Sequence, residues 1–241
     1  MILIFDYFET IVHNKSIDFN RGLKDLWKEY YKDKCSFEEI SKVGEELFEH
    51  ILKMHEQGLE YRFVKDELPE YAARYGGDII TMTPEEESTF LMRCNEMEVL
   101  PSILEALATF KQMGIPMYVL SNSSFTADAL SVALERLGIR KYFKKVWSSA
   151  DFGKIKPNRE FFEIAITSAL SDNPAATKKD IVFVGDMYET DVRGANAAGI
   201  DVIWLNYKNE TNKDNLSLHS INSTDELLDL IKKLNKRRCD Y

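Results

Sequence analysis

The stretch MILIFDYFET, residues 1–10, decides the fold. Its first five residues are apolar without interruption and include two isoleucines, as in a strand covered on both faces. The run breaks at Asp6-Tyr7-Phe8-Glu9-Thr10, which puts a carboxylate directly at the strand's C-terminal end. Working outward, similar short apolar runs occupy residues 117–120, 142–147, 181–184 and 202–205. Helical patterns alternate with them. Pro101 opens one in which Ile103, Leu104, Leu107 and Phe110 recur at helical spacing before Gly114 closes it. Others fit residues 126–137, 159–170 and 192–198, and a last amphipathic helix fits 224–234 after a polar loop over 206–223. This alternation predicts an α/β fold, a doubly wound, Rossmann-like parallel sheet whose ligands bind at the carboxyl ends of the strands.

One interval departs from the alternation. Between the first and second strands the pattern is helical throughout. Ser36-Phe37-Glu38-Glu39 is a capping box that opens a helix with Ile40, Val43, Leu47, Phe48, Ile51 and Leu52 on one face. Thr83-Pro84-Glu85-Glu86 opens another in the same way. Residues 14–98 hold 20 acidic and 12 basic side chains, a net −8, against −9 for the whole chain. The acidity therefore sits in one segment. The reading is a small all-helical domain of about four helices over 14–98, inserted into a core formed by 1–13 and 99–241.

With 241 residues, 44% of them hydrophobic, the chain can bury a core of that size. Its negative balance argues against a nucleic-acid partner. No apolar run reaches membrane length and no leader pattern precedes the first strand, so the expectation is a cytoplasmic protein with no membrane partner. Cys35, Cys94 and Cys239 are far apart and show no metal spacing, as expected of reduced thiols. His13 follows the first motif and could line the entrance to a site there. His50, His55 and His219 show no ligand spacing. Nothing in the sequence speaks to oligomeric state.

Four short motifs fall at the active edge of the sheet. They are Asp6-Tyr7-Phe8-Glu9-Thr10, Ser121-Asn122, Lys156-Pro157, and Gly185-Asp186 followed by Asp191. Singly, each is an ordinary turn or cap sequence. Together they bring a nucleophilic carboxylate, a hydroxyl, a lysine and two further carboxylates to one edge. Through these motifs, and through Ala195-Asn196-Ala197-Ala198-Gly199, the chain resembles the haloacid dehalogenase superfamily, in particular members with a helical cap inserted after the first strand. The resemblance covers essentially the whole chain.

The resemblance implies a hydrolase that uses Mg²⁺ and acts on a small phosphorylated molecule. Asp6 would be the nucleophile, forming an aspartyl-phosphate. Asp6, the carbonyl of Phe8, Asp186 and Asp191 would hold the metal, Asp191 directly or through a water. Ser121 and nearby backbone amides would donate to the transferring group, and Lys156 would offset the accumulated negative charge. Asn122 would bind the phosphate or brace the loop, and Thr10 would close the turn.

Phe8 departs from the family pattern. Members that cleave phosphomonoesters typically carry an aspartate two residues after the nucleophile, as proton donor to the leaving oxygen. Phenylalanine cannot do this, and general acid–base help amounts to about 10²–10⁴-fold. The expectation is therefore a phosphatase confined to good leaving groups, or one that recruits another acid such as Glu9 or a cap side chain. The dehalogenase branch, which attacks carbon and carries an aromatic residue here, is the alternative, as is a binding protein that has lost turnover. Tyr61, Arg62 and Arg74 are cap residues that could meet substrate, though a solvated face explains them as well. Phe125 and the Trp147 region read as core.

Overall fold

The structure is a computed structural model that describes residues 1–212 and 214–239, with the side chains of 237–239 excepted. Cys239, read above as a reduced thiol, thus lies outside the described side chains. The chain begins with β1 (Ile2–Phe5) and, after a turn, β2 (His13–Ile17). Four helices follow, α1 (Phe19–Leu26), α2 (Phe37–Glu56), α3 (Leu68–Tyr75) and α4 (Pro84–Cys94), and then β3 (Asn95–Glu98). The remainder alternates: α5 (Pro101–Gln112), β4 (Met117–Ser121), α6 (Ala127–Arg136), β5 (Val146–Ser148), α7 (Ser149–Phe152), α8 (Arg159–Asp172) and β6 (Ile181–Gly185). It ends in α9 (Arg193–Ala197), β7 (Asp201–Leu205), β8 (His219–Ile221) and α10 (Asp225–Cys239).

Six strands form one sheet in the order β5-β4-β1-β6-β7-β8. All its pairings are parallel, with Ile4 beside Tyr118 on one side and Phe183 on the other. Side chains alternate across the sheet. Leu3 and Phe5 pack with α5, α6 and α10, whereas Ile2 and Ile4 pack with α8 and α9. Both faces of β1 are therefore covered, which is why its sequence is continuously apolar rather than alternating. Each such fully buried large side chain contributes about 1.5–3 kcal/mol. The doubly wound α/β architecture is the one predicted.

Helices α1 to α4 enclose a third apolar cluster, including Leu23, Ile40, Leu47, Phe63, Tyr71 and Phe90. Both capping boxes form. Ser36 and Glu39 exchange bonds at the start of α2, and Thr83 and Glu86 do so at the start of α4. The α2 face is narrower than its periodicity suggests. Ile40, Val43 and Leu47 are buried, but Phe48 and Leu52 stay exposed. Leu104, placed on the apolar face of α5, is also exposed, because Ile103, Ala106, Leu107 and Phe110 form the buried face.

Three strands were not anticipated. β2 and β3 pair antiparallel, His13 opposite Glu98 and Ile17 opposite Asn95, so that this ribbon brings the two expected ends of the insertion together. β8 lies inside the stretch read as a polar loop and pairs with β7 at the sheet edge. The third core strand is also shorter than read. Tyr142 belongs to a single tight turn and only Val146–Ser148 pairs.

Candidate active site

The floor of the site forms where β1, β4 and β6 end. Asp6 follows β1, and its amide donates to the Val184 carbonyl at 2.8 Å, which fixes the carboxylate at the sheet's edge. Lys156 arrives from the loop before α8 with its side chain 2% exposed. Its Nζ donates to Asp6 Oδ1 at 2.6 Å and to Asp191 Oδ1 at 2.8 Å. The Asn122 side chain clamps the same loop from β4: Oδ1 accepts from the Lys156 amide at 2.7 Å, and Nδ2 donates to the Lys156 carbonyl at 3.1 Å. Of the two roles open to Asn122, the bracing one is visible here.

Asp186 follows β6, held by Trp204, whose indole N–H donates to the Asp186 carbonyl at 2.9 Å. Asp191 sits in the wide turn that begins after Met187. It is fully buried, and its second oxygen accepts from the Met187 amide at 3.0 Å. Gly185 makes this possible, since a Cβ there would collide with the Asp191 carboxylate. Asp6, Asp186 and Asp191 present oxygens within 4.8 Å of one another.

Three carboxylates thus share a single ammonium. Burial, followed by the charges of Asp6 and Asp191, pushes the Asp186 carboxyl up to about 8. Burial raises Asp6 to about 6, and the Lys156 ammonium opposes that rise. For Lys156 burial is the largest influence and acts downward, but Asp191 and Asp6 outweigh it, so its ammonium form is favoured. A cluster of this kind suits a divalent cation. Hard oxygen donors with excess negative charge are what Mg²⁺ coordinates, and a cation would reverse the repulsion that protonates Asp186.

Not every residue singled out from the sequence faces the cleft. Phe8 lines it, half-buried, with its ring 4.7 Å from that of Tyr7. The bonds closing the turn run from the Glu9 amide to the Val12 carbonyl and from the Val12 amide to the Tyr7 carbonyl, so neither uses the Phe8 carbonyl. Ser121 is fully buried, and its hydroxyl donates to the Asn122 carbonyl at 3.2 Å rather than into the cleft. The nearby Ser123 amide is taken by Ser149 Oγ. Glu9 is turned to His13 Nδ1 at 2.7 Å and to the Asn14 amide at 3.0 Å. The Thr10 hydroxyl is buried without a partner among the described residues. Arg62 is paired with Asp66 and Arg74 with Glu46, both away from the cleft.

The cleft has a volume of about 620 Å³ and is roofed by residues the sequence did not single out for it. Phe48, Phe63 and Phe125 line it, although Phe125 read simply as core. Glu67 and His55 face it from the helical segment. Glu67 had no sequence signal at all, being one of 20 acidic residues in its block. It is 2% exposed, takes a bond from the Tyr71 hydroxyl at 3.2 Å, and is pushed by burial up to about 8.

Residues 1–199 match the haloacid dehalogenase-like hydrolase family, and the chain belongs to that family. Among curated relatives it is 30% identical over 143 residues to a glyceraldehyde 3-phosphate phosphatase of Methanocaldococcus jannaschii, covering 56% of this chain and 58% of that protein. It is 28% identical over 164 residues to a ribulose-1,5-bisphosphate 5-phosphatase of Halopiger xanaduensis, covering 64% of each. The chain thus spans about three fifths of these relatives' length. Solved structures of similar fold include a HAD phosphatase from Thermococcus onnurineus, with TM-score 0.61, 20% identity and coverage of 95% of this chain and 97% of that one. A 2-haloacid dehalogenase from Pseudomonas syringae pv. Tomato DC3000 gives TM-score 0.69 at 20% identity, covering 97% of this chain and all of that one. At such identities the likeness shows the fold, which phosphatase and dehalogenase share. Among the described residues no helix is long and apolar enough to cross a membrane.

Proposed function

We propose that the chain is a Mg²⁺-dependent phosphatase of small phosphorylated metabolites, reacting through an aspartyl-phosphate on Asp6. The observation that carries this reading is the charge arrangement of the floor, with Asp6, Asp186 and Asp191 clustered around one lysine. A carbon-attacking enzyme that works without metal has no use for the surplus carboxylate. The phosphatase names of the curated relatives support the same choice. In the first step an Asp6 oxygen attacks phosphorus, forming the acyl-phosphate bond as the ester oxygen leaves. In the second, water attacks the phosphorus, releasing inorganic phosphate and restoring Asp6. Lys156 holds Asp6 in place and offsets negative charge on the transferring group, while Asp191 and Asn122 hold Lys156. Mg²⁺, held by Asp6, Asp186, the Phe8 carbonyl and Asp191 directly or through water, would neutralise phosphate charge.

The same reading takes residues 14–98 as a cap over a core of 1–13 and 99–241, supported by the cap's own apolar cluster and by the β2–β3 ribbon at its neck. Cap closure excludes water from the reacting groups. We place the protein in the cytoplasm, where the free thiols of Cys35 and Cys94 would stay reduced.

With Phe8 in the acid's position, hydrolysis should favour substrates whose leaving group needs no proton. Purified protein with Mg²⁺ is expected to hydrolyse acetyl phosphate or an aryl phosphate faster than a sugar phosphate, and Asp6→Asn to abolish both. Phe8→Asp should raise sugar-phosphate hydrolysis by about 10²–10⁴-fold. Phe8 also favours one second reading, the dehalogenase. Metal-independent chloride release from a 2-haloacid, with no phosphate release from any ester, would establish that reading in place of the first.

A further inference from the structure

The upper half of the cleft differs in character from its floor. Phe8, Phe19, Phe48, Ile51, Phe63 and Phe125 line it. The rings form a preset cluster. Phe63 stacks on Phe90 at 4.2 Å between centroids, and Phe125 lies 5.2 Å from Phe63 and 6.2 Å from Phe90. At the mouth Phe48 is 60% exposed and Ile17 70%, yet both border the cleft. Large apolar side chains left open around a concave, charged floor mark a ligand site.

The charges facing the cleft are as informative. Among the described residues lining it, the basic groups are Lys156 and His55. Lys156 is held by Asp6 and Asp191, and His55 Nε2 lies 3.0 Å from Glu60. The acidic groups are Asp6, Glu9 and Asp186, with Glu67 held neutral in the wall by burial. A second phosphate or a carboxylate on the substrate would meet these acids and no uncommitted cation.

We infer that the roof is a leaving-group pocket for an aromatic monophosphate ester whose single phosphate is its only charged group. The floor takes the phosphate, and the ring cluster takes the aromatic body by apolar contact and edge or stacked packing. Phe8 occupies the boundary between the two. It cannot protonate a departing oxygen, and an aryl oxide needs little protonation. Glu67 is compatible with an apolar wall because burial keeps it protonated at neutral pH, with the Tyr71 hydroxyl as its partner. Excluded by the same features are bisphosphates and diphosphates. A nucleoside monophosphate could seat its base on the rings, but its alkoxide would depart without a proton donor.

The inference rests on the phosphatase reading for the phosphate's position, and binding separates the two. In the full chain with Mg²⁺, calorimetry would compare methylphosphonate, 1-naphthylmethylphosphonate and phosphonoacetate. The naphthyl compound should bind at least about 10-fold more tightly than methylphosphonate, and phosphonoacetate no more tightly than methylphosphonate. Phe48→Ala, at an exposed position where folding is not at stake, should cut the naphthyl advantage by about 3-fold or more. In turnover, 1-naphthyl phosphate should exceed uridine monophosphate in kcat/KM. Equal naphthyl and methyl affinities, an advantage indifferent to Phe48→Ala, or preference for the nucleotide would overturn the pocket even if acetyl phosphate is hydrolysed. A naphthyl preference without hydrolysis of any phosphate would overturn the phosphatase reading and leave the pocket. Failure of folded protein to bind either phosphonate would overturn both.

Discussion

At the scale of single residues, the floor of the cleft sets three carboxylates against one ammonium, and this imbalance has a pH dependence with a definite sign. The ordinary carboxyl value for Asp186 is 3.8 and its value in the folded chain is about 8. Below 3.8 both folded and unfolded chains hold the proton and nothing is lost. Between the two values the unfolded chain has released it and the folded chain has not, so stability falls as pH rises, down to a floor above about 8. In metal-free buffer Asp186→Asn should therefore be more stable than wild type at pH 8, by about 1–3 kcal/mol in urea unfolding, with no difference near pH 3. Millimolar Mg²⁺ should reverse the order, because only wild type keeps the full donor set. An Asn variant no more stable at pH 8 would show that the carboxylates do not strain the fold. Gly185 makes a second test. An added methyl would displace Asp191 and with it Lys156, so Gly185→Ala should lose about 100-fold in kcat on an aryl phosphate. The circular-dichroism spectrum should stay native, and an unchanged kcat would mean that Asp191 does not aim the lysine. The glycine was visible in the sequence as half of a motif, but its purpose, clearance for a side chain six residues on, was not.

At the scale of elements, the strands of the core were readable because both their faces are buried and their composition says so. The ribbon strands β2 and β3 and the edge strand β8 were not. HNKSI and NEME are polar, half-exposed segments whose partners lie far along the chain or at a sheet's rim. No local pattern marks such pairing. The helical segment was readable through its caps and periodicity, yet periodicity could not tell the side of α2 that meets the cap core from the side that meets the cleft. Phe48 shares a stripe with Val43 and Leu47 in the sequence and parts company with them only in three dimensions, while Ile51 touches both the cap core and the cleft. Nor could it show that Ser121 turns its hydroxyl to its own loop. The α2 cap offers a clean stability test. Ser36 Oγ accepts from the Glu39 amide and Glu39 accepts from the Ser36 amide at 2.8 Å. Ser36→Ala should cost about 1 kcal/mol, measured as a shift in the urea midpoint at unchanged slope. No shift would mean that this end of α2 frays without consequence.

At the scale of the whole molecule, the helical segment and the sheet are joined by more than the ribbon. The Glu60 amide donates to the Gly153 carbonyl at 3.1 Å, the Ile155 amide to the Gly58 carbonyl at 3.2 Å, and the Phe63 amide to the Ser124 carbonyl at 2.9 Å. Buried Glu60 accepts from Ser149 Oγ at 2.5 Å, and Glu87 accepts from the Thr126 hydroxyl at 2.6 Å. If the cap swings as one body, the amides of Glu60, Phe63 and Ile155 should exchange with solvent at a common rate, well ahead of Val119 and Val184 in the sheet. A bound phosphonate should slow all three together. Unrelated rates would show that the contacts open separately.

Ile155 immediately precedes Lys156, so the bond from its amide to the Gly58 carbonyl ties the helical segment to the loop that carries the ammonium. Peeling residues 58–60 away would remove one tie on this loop, while the Asn122 clamp and the Asp191 carboxylate keep their hold on Lys156. Under the proposed cap closure, a movement of the lid would reach the loop that carries Lys156 through the short bridge between residues 58–60 and 153–155.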